Sequence, residues 1–137
     1  MKNRTILLLF AIFIIVYGCE FLDEKIVDVS GKVTEDGSAV SGAIVLLVES
    51  ADVSDGLNLA NGSITDNAGN YIILNVDPGR YYVLAVDDQN NNGQFDSGTD
   101  QLGFYGVNPT NQDLLPDRIT VEEDDLEDID IVDLYTL

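Results

Sequence analysis

The chain predicts an all-β fold, a single antiparallel β-sandwich of about seven strands. Three observations carry that expectation. Apolar and polar residues alternate with period two at the start, where Val27, Val29, Gly31 and Val33 interleave with Asp28, Ser30, Lys32 and Thr34. Clusters of Asp, Asn, Gly and Pro separate short apolar runs along the whole chain. After residue 24 no segment carries apolar residues at the 3.6-residue spacing of a helix.

Each element has its own justification. Glu35-Asp36-Gly37-Ser38 is a turn closing the first strand, because Gly37 tolerates positive φ. Ala43 to Val48 is a nearly continuous Val, Ile and Leu run, the signature of a buried strand. Ser50 to Gly62 reads as a long polar loop, Gly62 to Asp66 as a short strand, and Asp66-Asn67-Ala68-Gly69 as a turn. Tyr71 to Val76 and Arg80 to Val86 read as strands joined by Asp77-Pro78-Gly79 into a hairpin. Asp87 to Gly106 is a polar loop with a short aromatic exit at Phe104 and Tyr105; its most polar part is 87–100. Asn108 to Asp117 holds two prolines and is irregular. Arg118 to Val121 and Glu127 to Leu134 read as a final strand pair around an acidic turn. Ile129 and Ile131 share one face there and Val132 and Leu134 the other, which predicts a bulge.

The first 19 residues have the layout of a secretory signal peptide. Lys2 and Arg4 form a basic head, Ile6 to Tyr17 an apolar run too short for a stable transmembrane helix, and acids follow at once. Val16-Tyr17-Gly18-Cys19 resembles the lipobox of bacterial lipoproteins, with Tyr17 a departure from the small or aliphatic residue usual there. The resemblance implies cleavage before Cys19 and lipidation of that cysteine, since more than one acyl chain is needed for a stable anchor. The organisation expected is a signal peptide over 1–18, a lipidated Cys19 with an acidic tether over 19–24, and one domain over 25–137. The protein is then exported and membrane-anchored, at the outer membrane, cell surface or periplasmic face, or on the outer face of a Gram-positive cytoplasmic membrane. Glu20 is not the Asp associated with inner-membrane retention.

Charge and composition exclude several functions. The chain carries 25 acidic and 6 basic residues, a net charge of −19, and no His or Trp. Removal of the signal peptide leaves Lys25, Lys32, Arg80 and Arg118 as the basic residues, a net of about −21. Such a surface repels nucleic acid and anionic lipid headgroups and attracts divalent cations. With Cys19 the sole cysteine, no disulfide forms within the chain, and without His there is no ordinary zinc site and no Ser-His-Asp or Cys-His pair. No phosphate-binding glycine loop is present.

Gly31-Lys32-Val33, Gly37 and Gly42-Ala43-Ile44-Val45, then Thr65 to Tyr71 and Val76-Asp77-Pro78-Gly79-Arg80-Tyr81-Tyr82-Val83, resemble a carboxypeptidase regulatory-like domain of the transthyretin-like (prealbumin-like, Ig-like) type. The match covers Lys25 to Val86 well and the last strands weakly. It implies a β-sandwich acting as an accessory or adhesion-like module. From the residues themselves, Gly69 and Gly79 permit tight reversals, and Tyr71 and Tyr81 can pack across the two layers.

One stretch carries chemistry. Asp88-Gln89-Asn90-Asn91-Asn92-Gly93-Gln94-Phe95-Asp96 has the form D-x-N-x-N-G-x-x-D, the first part of an EF-hand-type calcium loop. Oxygen side chains at positions one, three, five and nine turn inward, glycine at six permits the sharp bend, and the next carbonyl adds a ligand. The candidate Ca2+ ligands are Asp88, Asn90, Asn92, the backbone of Gln94, Asp96 and Asp100. Asp100 stands in for the Glu missing at position twelve, where Thr99 sits. Asp87 is an outer acid, and Phe95 plugs the end of the sandwich. The competing reading is an Asn- and Gly-rich solvated turn. The run Glu122 to Asp125, with Glu127 and Asp128, invites a second metal site but reads as a solvated turn.

The expected function is therefore a non-catalytic, lipid-anchored cell-envelope module, calcium-stabilised, with a binding, adhesion-like or accessory role. Its partners are the membrane through the anchor and an envelope protein or polysaccharide, not nucleic acid. The alternatives are a carbohydrate-binding surface lipoprotein using Tyr105 and Tyr135, or a hydrolase of transthyretin-like fold, whose relatives depend on histidines this chain lacks. A further possibility is an isopeptide bond, as in collagen-adhesin B-type domains, between Lys25 or Lys32 and Asp130 or Asp133.

Overall fold

The computed structural model describes residues 26–50, 61–108, 110 and 112–137. The expected signal peptide, Cys19, the whole tether, Lys25 and residues 51–60 of the long loop lie outside the described residues. What is described is all-β, with antiparallel strand pairs and no α-helix among the described residues.

The strands are β1 (Val27–Lys32), β2 (Thr34–Glu35), β3 (Ser38–Ala39), β4 (Ile44–Val48), β5 (Gly62–Ile64), β6 (Asn70–Val76), β7 (Gly79–Asp87), β8 (Gln101–Phe104), β9 (Arg118–Val121) and β10 (Tyr135–Thr136). The larger sheet runs β10-β8-β7-β4-β5, with β9 also on β7. β9 pairs with the first half of β7 and β8 with its second half. β1 and β6 form a separate pair, and β2 and β3 a small hairpin over Asp36 and Gly37, both at positive φ.

β7 and β4 explain the larger sheet. Val83 and Ala85 point into one apolar cluster, while Leu84 and Val86 point into a second on the opposite side. Leu46 joins the second cluster, and Val45 and Leu47 join the first. A strand covered on both faces reads as an unbroken apolar run, which is why Ala43 to Val48 shows no alternation. The first cluster also receives Val27, Val29, Tyr71 and Ile73 from β1 and β6, so both sheets supply one core. β6, by contrast, alternates: Tyr71, Ile73 and Val76 are buried, whereas Ile72 and Leu74 are exposed.

Five expectations need correction. β6 and β7 are not a hairpin. β6 pairs with β1, whereas β7 pairs with β4, β8 and β9, so Asp77-Pro78-Gly79 carries the chain from one sheet to the other. Asn75 takes positive φ just before this step and bends the strand end. Gly79 does not use positive φ there; a Cβ would lie 2.9 Å from the Tyr81 hydroxyl oxygen, so glycine makes room for that ring.

The 87–106 loop contains β8, which its single Leu and central glycine hide in the sequence. Gly103 is needed because a Cβ would fall 2.3 Å from the carbonyl oxygen of Asp133. Arg118 to Val121 and Glu127 to Leu134 do not pair with each other. β9 pairs with β7, while 126–131 runs parallel to β1 through bridges Val29 to Leu126 and Val33 to Ile131. The face assignment at the end also changes. Leu134 is buried with Ile129 and Ile131, and Val132 is exposed; Asp128, at positive φ, kinks the segment.

The parallel segment is tightly bonded. Ser30 N–H donates to Leu126, Leu126 N–H to Asp28, Ile129 N–H to Ser30, Ile131 N–H to Lys32 and Thr34 N–H to Ile131. Under β1 the Tyr71 hydroxyl donates to the Ile129 carbonyl at 2.6 Å, and burial pushes its pKa well above the usual tyrosine value. Gly31 allows this approach, since a Cβ there would lie 2.1 Å from the same carbonyl oxygen. Elsewhere, buried Thr65 donates to Val40 O and accepts from Ala43 N–H, fastening the approach to β4. The Asp66 carboxylate caps Ala68 and Asn70 N–H groups, which hold its pKa below the usual range.

Tyr71→Phe deletes one buried hydrogen bond and leaves a carbonyl unsatisfied, so it should cost about 1–3 kcal/mol. Gly31→Ala must push the parallel segment away and should cost about 3 kcal/mol. Urea unfolding followed by circular dichroism checks both; a Gly31→Ala midpoint equal to wild type would contradict the close approach.

Candidate metal centre

The polar loop is an insertion between β7 and β8, and the ladder pair Asp87 with Gln101 closes its mouth. Directly inside that pair sits Asp100, whose side chain is fully buried. One carboxylate oxygen accepts the Gln89 N–H at 3.1 Å and the other the Asp96 N–H at 2.8 Å. Asp100 thus ties the entry of the loop to its exit. Thr99 and Asp100 N–H groups both return to the Asp96 carbonyl and close a tight turn.

Above this staple the motif residues curl the backbone. Asp88 accepts from Gly93 N–H at 2.8 Å and from Asn92 N–H at 3.2 Å. Asn90 Oδ1 accepts from Asn92 N–H, and Asn92 Oδ1 from Gln94 N–H. Asn91 and Gly93 take positive φ, the conformation for which Asn and Gly carry the smallest penalty. Asn90 Nδ2 and Asn92 Nδ2 then both donate to Asp96 Oδ2, at 2.8 and 2.6 Å. The side-chain ends of positions three, five and nine therefore meet at one point.

Of the six expected ligands, Asn90, Asn92 and Asp96 converge directly, and Asp88 joins them through the shared backbone turn. Gln94 contributes its N–H to Asn92 and keeps an exposed side chain. Asp100 lies beneath the loop as its staple. No group of three or more Asp, Glu, Cys or His side chains is gathered into a metal-holding cluster among the described residues. The convergent set is instead one carboxylate with two amides. Each amide oxygen is engaged by a loop N–H and each amide nitrogen by Asp96, so only the Asp96 carboxylate presents oxygen at this point.

Two carboxyls of the loop are shifted in opposite directions. The two Asn amides hold the Asp96 carboxyl below the usual range. Burial raises Asp87, its hydrogen bond from Gln89 opposes that, and Glu35, Asp100 and Asp88 push it further up. Glu35 reaches this cluster from β2, where its carboxylate accepts from Gln101 Nε2 at 2.5 Å. Nothing in the sequence signals Glu35, because 66 residues separate it from Gln101. Phe95 packs against the second apolar cluster, formed by Leu46, Leu84, Val86 and Leu102, and so anchors the loop to the sheet.

The other candidates are placed differently. Tyr105 packs against the main core. Tyr135 is half-buried, and its hydroxyl has no hydrogen-bond partner. Lys32 meets Asp130 through its backbone N–H, at 2.8 Å, while its side chain is exposed. Glu122, Glu123 and Asp124 line an open groove with Pro78 and Leu126, and Asp125 accepts from Asp28 N–H. The chain matches no protein-family model and no curated protein.

The raised Asp87 carboxyl has a defined consequence. A carboxyl whose folded pKa exceeds its unfolded one opposes folding once ionised, so its penalty develops as pH rises through the folded value. Asp87→Asn should therefore raise the melting temperature of the metal-free protein at neutral pH. The gain should shrink as pH falls below the carboxylate range. Calorimetry across that range checks it; a uniform gain at every pH would contradict an electrostatic origin.

Proposed function

We propose that the chain is a non-catalytic, lipid-anchored cell-envelope module whose two sheets form a transthyretin-like β-sandwich, with Ca2+ held in the 88–100 loop. The supporting observation is the buried Asp100 carboxylate beneath a loop of oxygen donors. Burying a carboxylate costs several kcal/mol unless other groups compensate it. Its two N–H bonds do so in part, its neighbours are acids, and each oxygen keeps a lone pair. A bound cation would add positive charge beside it. Asp88, Asn90, Asn92, the Gln94 carbonyl and Asp96 would hold it, with Asp100 joining or bracing them.

A binding or accessory role fits the resemblance to carboxypeptidase regulatory-like domains and an acidic chain without His. The lipobox-like Val16 to Cys19 supports anchoring at a membrane of the envelope. A carbohydrate-binding role through an aromatic platform has less support, since Tyr105 packs against the main core and both it and Tyr135 are half-buried.

Two experiments test the parts separately. A loop with few carboxylates should have an extracellular-type affinity of about 0.1–1 mM. At about 10 mM calcium the folded state then gains about 1.4–2.7 kcal/mol. Thermal unfolding in EDTA and in calcium should show that gain, and Asp88→Ala with Asp96→Ala should abolish it. No shift in the wild type would remove the metal. Labelling of cells with an alkyne fatty acid should tag the wild type and not Cys19→Ala; equal labelling would refute the anchor.

A further inference from the structure

The larger sheet leaves an apolar recess open to solvent. Leu102 and Phe104 of β8, Tyr135 of β10, and Leu114, Pro116 and Leu137 line a cleft of about 220 Å³. Leu102 is buried, whereas Leu114 and Leu137 are 67 % and 66 % exposed and form the lips. The Leu137 lip is held in place, because Ser97 donates its hydroxyl to the Leu137 main-chain oxygen at 2.9 Å. Exposed apolar surface rimmed by polar groups marks an interaction site.

Size and charge say what fits there. The cleft is smaller than the roughly 300–1,000 Å³ of small-molecule pockets and suits one or two apolar side chains. Tyr135 also lines a neighbouring open groove of about 620 Å³, together with Glu35, Asp36 and Asp133. Asp113 and Asp117 flank Leu114 to Pro116. Neither lining includes a basic residue. Arg118, the one base between residues 101 and 137, lies 4.5 Å from the centre of the Tyr82 ring and donates to the Glu49 carbonyl. An apolar recess and an acidic one therefore meet at a single tyrosine.

We propose that cleft and groove together dock an extended segment of another protein, in which one or two large apolar side chains stand beside Lys or Arg. The apolar side chains fill the cleft as anchors, and the cations lie across Tyr135 in the acidic groove. A second copy of this chain is the poorer occupant, because each copy carries a net charge of −19 and would bring like charge to the same rim. The inference rests on the binding role proposed above, to which it gives a surface and a partner, and requires neither calcium nor the anchor.

Fluorescence anisotropy tests this on the full-length chain in phosphatidylcholine nanodiscs, in EDTA, with a fluorescein-labelled Lys-Lys-Leu-Leu-Lys-Lys peptide as the probe. The peptide should bind, and more weakly as salt rises. Leu114→Ser with Leu137→Ser should weaken binding about tenfold or more, the worth of burying one leucine. Both side chains are exposed, so the variant keeps its fold. Asp36→Asn with Asp133→Asn should weaken binding and flatten its salt dependence. Glu122→Gln with Glu123→Gln removes the same charge from the groove beside Pro78 and should leave binding unchanged. Full binding by the leucine variant, or equal loss in the two acid variants, shows a general attraction of cations to an acidic surface and overturns the cleft alone. Absence of binding to the wild type at millimolar peptide overturns the cleft and removes a basic polypeptide from the binding role. A concentration-dependent dimer that the leucine variant abolishes in sedimentation assigns the cleft to a second copy and likewise overturns the proposal.

Discussion

The segment 126–131 lying parallel to β1 is the constraint on which the rest of the structure depends. A two-stranded β1–β6 sheet would be marginal alone, and the third strand gives it enough backbone pairing to hold a face against the larger sheet. The Tyr71 hydroxyl reaches the Ile129 carbonyl through the space that Gly31 leaves, so the three elements are locked by one contact. The same segment then crosses to β8 as β10. It therefore joins one edge of each sheet, and Gly103 gives it passage there as Gly31 does at β1. These contacts join residues nearly a hundred positions apart, a separation that raises the entropic cost of closure.

Charge shapes the molecule in a different way. With 25 acids and 6 basic residues, repulsion is distributed over the whole surface. Many carboxylates are satisfied by backbone N–H groups, locally at Asp66 and Asp88 and across 97 residues at Asp125, which accepts from Asp28 N–H. Asp100 carries this to the interior, where two N–H bonds hold an otherwise uncompensated charge at the base of the loop. A hydrogen-bonded network built this way orders the loop through its own backbone N–H groups.

Much of the fold was legible because local patterns and packing agree. Alternation identified β1, the continuous apolar run identified β4, and the Asp66 to Gly69 and Glu35 to Ser38 turns stand where Gly and Asp put them. In the loop, Asp88, Asn90, Asn92 and Asp96 stood out because their spacing follows the curl of the backbone. What failed has one cause. The Asp77-Pro78-Gly79 turn permits a reversal within a sheet or a step between sheets, and local sequence does not distinguish them. The β6–β7 and β9–tail pairings were misassigned for that reason, and β8 was hidden because Gly103 answers to a distant backbone and not to a local turn.

The sequence alone determined the all-β class, most strand positions, the excess of acid and the oxygen-rich loop, since each follows from side-chain period, turn chemistry or composition. Only the tertiary structure decided which strands pair, that the last segment runs parallel to the first, that Asp100 is a buried staple, and that Ser97 reaches Leu137. Those are relations between residues far apart in the chain. Backbone hydrogen bonding is indifferent to side-chain identity, so partner choice is settled by which faces can be buried together, a property of the assembled core.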